Sequence, residues 1–157
     1  MTTKSTAKAM DVARYLIALA GAEEEPELLT PMRLQKLLYY TQGWSLALRD
    51  CPIFPDRIEA WAHGPVVEGV YHEFKALKGG TIPLDQGSVS GLSEEEQQHV
   101  QSVWRTYRTY SAIALSDMTH EESPWKDARS GLSREAKSNR EITTSAMAEY
   151  FKKANRE

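Results

Sequence analysis

The chain has 157 residues, a net charge of −3 and one cysteine. Its length suits one domain, at about 100–200 residues per domain, with a core that needs no disulfide or metal. The charge excludes a global cationic field for nucleic acid, and a lone Cys51 excludes an internal disulfide and fits a reducing compartment.

Charge is distributed unevenly. Residues 126–157 carry eight basic and five acidic side chains, against eleven and seventeen before them. A DNA-reading regulator would have to rest on this mildly basic tail, and the plainer reading is a solvated surface. Lys4 and Lys8 before an apolar run imitate a signal peptide, but Asp11 and Arg14 interrupt that run. No stretch approaches the roughly 20 apolar residues of a membrane span. The expectation is a cytoplasmic protein of one domain, with 1–8 disordered and 9–154 folded.

The first helix is predicted over Ala9–Ala20, with Met10, Ala13, Ile17 and Ala20 on one face. Gly21 stops it. Thr30-Pro31 opens a second, with Thr as N-cap and Pro in the first turn. Leu34, Leu37, Leu38, Thr41, Ser45 and Leu48 give this helix a long stripe that belongs in the middle of the domain. Pro52 and Pro55 keep the next stretch extended.

A strand over Ile58–Trp61 is followed by a His63-Gly64-Pro65 turn. Pro65 is expected as the first residue of helix three, whose inner face is Val66, Val67, Val70, Tyr71, Phe74 and Leu77. Thr81–Leu84 is read as a second short strand. Ser93 with Glu96 forms a capping box for helix four, whose stripe runs from Val100 to Ala114. Ser116 is expected to cap a short helix to His120, Ser123 another, and Thr143 a final one; 131–141 reads as loop. The fold class is mainly α: five or six helices with a small hairpin near 57–62 and 81–84.

Catalytic chemistry finds little support. His63, His72, His99 and His120 form no recognised metal spacing. His120 with Glu121 and Glu122 offers adjacent ligands, which alone make no site. Cys51 with His63 is the only thiol–imidazole pair, and Asp50 beside the thiol works against a thiolate. No phosphate-binding loop or nucleophile elbow is present. A metal- or thiol-dependent hydrolase is the rival class, and it lacks partners for each candidate. No cofactor and no metal are expected. Of the four tryptophans, Trp61 and Trp125 lie beside turns and histidines rather than inside long helical stripes, so they suit an interface best.

Three stretches resemble the Panacea domain of SocA-like and GepA-like phage-associated antitoxins. They are Leu29 to Tyr40 (LTPMRLQKLLYY), Glu59 to Val67 (EAWAHGPVV) with Tyr71, and Leu115 to Trp125 (LSDMTHEESPW). They occur in the family's order and bracket about 100 residues. The resemblance implies a bacterial or prophage antitoxin that binds a cognate protein toxin without catalysis. Panacea domains resemble one another while their toxins are diverse. A SocA-like branch further implies an adaptor that delivers the toxin to a ClpXP-type protease through a ClpX-type unfoldase.

The partner-binding set expected on this reading begins with Gln35, Lys36 and Tyr40 on the outer face of helix two. Trp61, His63, Tyr71, His120 and Trp125 would share one groove, which either holds the fold or engages the partner, and Gly64, Pro65 and Glu121 complete the set.

Overall fold

A computed structural model describes residues 7–157. The described residues form seven helices and a three-stranded sheet: α1 (Ala9–Gly21), α2 (Pro31–Leu48), β1 (Ile58–Trp61), β2 (Gly64–Val66), α3 (Glu68–Phe74), α4 (Glu94–Tyr107), α5 (Ala112–His120), α6 (Ser123–Ala128), β3 (Glu141–Ile142) and α7 (Thr144–Asn155). The architecture is mainly α, as the sequence predicts. The expected disorder of 1–8 falls largely outside the described residues. At its described end, Ala7 is buried and the Lys8 N–H bonds the Asp11 carboxylate at the start of α1.

α2 is the central element. Thr30 Oγ accepts the Arg33 N–H, and Pro31 occupies the first turn, so the helix starts where the sequence says. It touches α1, α3, α4, α5, α7 and β2. Because neighbours surround it, its polar side chains must find partners inside the protein. Gln42 accepts the Ile53 N–H and donates to the Phe54 carbonyl, and Ser45 Oγ donates to the Cys51 carbonyl. These bonds fix the extended proline-rich stretch against the helix. Ser93 with Glu96 caps α4, and Thr143 caps α7, both as predicted.

The sheet has the order β2-β1-β3, antiparallel throughout. Several expectations change here. Pro65 does not open a helix; it lies in β2 opposite Ala60. The two-residue turn Ala62-His63 reverses the chain, with Gly64 at φ +124, and the helix starts only at Glu68. Proline is tolerated because Ala60 sends its own N–H the other way, to the Arg140 carbonyl. Residues 81–84 form no strand. Ile82 is buried and bonds the Leu29 carbonyl, and a 3-10 turn follows at Leu84–Gln86. The third strand instead comes from Glu141–Ile142, at the edge of the stretch read as loop. Helix four ends at Tyr107, and Ser111 caps a new helix through the Ala114 N–H, so Ala114 and Ser116 lie within α5. Glu122, not Ser123, is the N-cap of α6.

The α2–α7 contact depends on one glycine. A Cβ on Gly43 would stand 2.2 Å from Phe151 Cε2. The Phe151 ring sits edge-on to Tyr39, Tyr40 and Trp44, so it has little room to retreat. Gly43→Ala is expected to lower stability by ~1–3 kcal/mol in urea denaturation. Gly43→Ala with Phe151→Leu should recover part of that loss, because the clash is with the ring.

Candidate functional site

The β1–β2 corner is held by side chains on both sides. On the free edge of β2, α2 replaces a fourth strand. Gln35 donates to the Val67 carbonyl (3.2 Å) and accepts the Val67 N–H (2.7 Å). Lys36 Nζ donates to the Pro65 carbonyl (3.2 Å). Gly64 admits the lysine: a Cβ there would meet Lys36 Cε at 2.5 Å, besides straining the positive φ.

On the other side, four consecutive carbonyls are taken in order by α5, α6 and the residue after it. Arg129 Nη1 donates to Ala60 O (2.9 Å), Trp125 Nε1 to Trp61 O (2.8 Å), His120 Nε2 to Ala62 O (3.0 Å), and Ser116 Oγ to His63 O (2.8 Å). The donors run backwards along the chain as the acceptors run forwards, like teeth of a comb. The His120 and Trp125 rings lie 4.2 Å apart, and Arg129 lies over the Trp125 ring at 5.2 Å.

What remains accessible is an aromatic wall. Trp61 and Tyr71 meet edge to face at 4.8 Å, with His63 beside Trp61 at 6.1 Å. Glu59 accepts the Trp61 indole N–H, which fixes the ring. Trp61, Ala62, His63 and Tyr71, with Glu135, Lys137, Ser138 and Asn139, line a cleft of about 700 Å3. A second depression lies beyond the comb, between His120, Trp125 and Arg134.

The expected site residues therefore separate into two groups. Trp61, Tyr71 and His120 are half-buried, and His63 and Glu121 are exposed. Gln35, Lys36, Tyr40, Gly64, Pro65 and Trp125 are buried. The outer-face placement of Gln35, Lys36 and Tyr40 is thus corrected: α2 is enclosed, and these three face the corner and the core. The single groove is corrected to two depressions, with Trp61, His63 and Tyr71 on one and His120, Glu121 and Trp125 on the other. His120 and Glu122, weighed as metal ligands, are engaged separately, by the carbonyls and by Tyr39 and Tyr40. Among the described residues no group of three or more His, Cys, Asp or Glu is placed to hold a metal.

Two supporting residues carry no signal as such in the sequence. Arg129 is buried, and besides Ala60 its guanidinium reaches the Ser133, Arg134 and Ala136 carbonyls. Glu122 accepts hydrogen bonds from both Tyr39 (2.9 Å) and Tyr40 (2.8 Å). The adjacent tyrosines were the only hint of a shared buried acceptor.

Burial shifts the titrations of this region. It raises Glu122 to about 7 against the opposing hydrogen bonds from the two tyrosines, and raises both tyrosines. It lowers Lys36 to about 7. His63, although exposed on one side, is lowered too, first by loss of solvent around its ring and then by the charges of Lys36 and His120. Glu122 holds its proton more tightly folded than unfolded. Its contribution to stability is complete below the ordinary 4.5 and is lost as pH rises through about 7. Lys36 holds its proton less tightly folded. Its contribution is complete above 10.5 and is lost as pH falls through about 7. Together they place a trough near neutrality in the stability they contribute. In urea denaturation at a series of pH values, Glu122→Gln should flatten the acid side of that trough, and Lys36→Met the alkaline side.

Residues 34–126 match the family described as antitoxin SocA-like, Panacea domain. No curated protein and no solved structure matches the chain. The matched span begins on α2 beside Gln35 and Lys36 and ends just past Trp125, so it contains the corner and all of the comb but Arg129. The chain belongs to the SocA-like antitoxin family that carries the Panacea domain.

Proposed function

We propose that this protein is the antitoxin of a toxin–antitoxin pair, one Panacea domain that neutralises a cognate protein toxin by direct, stoichiometric binding and without catalysis. Trp61, His63 and Tyr71 form the contact, extended by the rims of His120 and Glu121. Gln35, Lys36, Tyr40, Gly64, Pro65 and Trp125 support it from within. The observation that carries this reading is the corner itself. A half-exposed tryptophan with its indole N–H already satisfied stands on backbone that side chains fix from both sides. A rigid aromatic of this kind loses little freedom on binding, which is what an interface anchor needs. No helix among the described residues is long and apolar enough to cross a membrane.

The test is co-expression with the product of the adjoining reading frame. Growth rescue and co-purification are expected for the wild type. Trp61→Ala and Tyr71→Ala should each weaken binding by about 2 kcal/mol, roughly 30-fold. Their thermal unfolding must be measured alongside, since only affinity lost beyond stability supports the assignment. A toxin that persists in the rescued cells indicates occlusion. One that becomes shorter-lived indicates delivery to a ClpXP-type protease. Normal rescue by both variants would remove the corner from the contact.

A further inference from the structure

We infer that the basic rim around the corner is a docking surface for an acidic segment of the protein partner. The inference rests on the binding role proposed above and gives the partner its chemistry.

The first observation is how the cations are paired. Arg14, Arg33, Arg49, Arg57 and Arg108 each lie within 4 Å of a carboxylate. Residues 126–140 carry five basic and two acidic side chains, and among the described ion pairs none of those five takes part. Lys126, Arg134 and Lys137 are exposed. Arg140 and Arg129 bond only carbonyl oxygens, which satisfy donors without cancelling charge.

The second observation is His120. Its Nε2 faces the Ala62 carbonyl and its Nδ1 the Ser116 carbonyl. Both ring nitrogens are taken by carbonyl oxygens, so the ring is held in place at the second depression, where Lys126 and Arg134 also stand.

The third is contrast. Across α6, the groove against α7 is lined by Glu121, Asp127, Glu149 and Glu157 with Lys153. The protein is acidic overall, so the basic rim is local and borders the aromatic wall directly. Lys137, beside Glu135, lines the cleft with Trp61 and Tyr71, while Lys126, Arg129 and Arg134 against Glu121 line the depression with His120 and Trp125. Unpaired cations beside a ring face fit a segment that alternates carboxylates with apolar side chains.

A synthetic peptide alternating Glu and Leu, its Gln-for-Glu counterpart and a short DNA duplex are titrated into 15N-labelled full-length protein. The Trp61 and Trp125 indole N–H resonances report the two depressions. The acidic peptide should move both, and the Gln peptide should bind about tenfold or more weakly. Arg134→Glu with Lys137→Glu should abolish the shifts, while Glu149→Lys should leave them. All three positions are exposed, so retained helicity and an unchanged fold are expected and checked by circular dichroism. Indoles that stay still, equal binding of the Gln peptide, or tighter binding of DNA at the same indoles would each overturn the inference. No toxin is used, so failure of neutralisation and failure of this surface are read separately.

Discussion

The structure depends on satisfying the backbone of one hairpin with side chains from distant helices. A buried peptide group left unpaired costs about 1–3 kcal/mol. The corner presents many such groups, because β2 has only β1 as a strand neighbour. Gln35 covers both polar atoms of Val67, and Lys36 covers Pro65. The arrangement also closes a sheet edge, which would otherwise offer itself to another strand. Burying an amine with no carboxylate beside it is unfavourable, and the depressed lysine titration records that cost.

The same logic organises the opposite side. Ser116, His120, Trp125 and Arg129 are spaced by four, five and four residues, close to one helical turn each. Successive turns of α5, α6 and the residue after it therefore meet the hairpin carbonyls in sequence. Glu122 faces the other way and ties the joint between these helices to α2 through Tyr39 and Tyr40. Three parts of the chain that are far apart in sequence are thus locked by polar contacts, while the apolar stripes supply the bulk of the burial.

This division explains what could be read in advance. Thr30, Ser93 and Thr143 announced helix starts because capping is local and involves residues three apart. The apolar stripes of α1, α2 and α4 were legible because their period is short. Pro65 was misread because a rule for isolated helix starts took no account of a two-residue hairpin turn just before it. The strand at Glu141–Ile142 was invisible because it pairs with β1 over more than eighty residues. Lys36 looked like a solvent-facing lysine, since nothing local shows that α2 is enclosed on that side. Arg129 had no periodic partner at all. The His120–Trp125 turn was matched to the Trp61–His63 corner, and that pairing is real, although two depressions flank it where one groove was expected.

The comb acts on main-chain oxygens, and every residue type carries the same carbonyl. Ala62 and His63 can therefore be exchanged for other side chains while Ser116, His120, Trp125 and Arg129 keep their acceptors. Substitutions in the turn alter what the protein displays, and substitutions in the comb alter whether it stays in place. Such a scaffold lets the displayed surface change one residue at a time, without reopening the problem of folding.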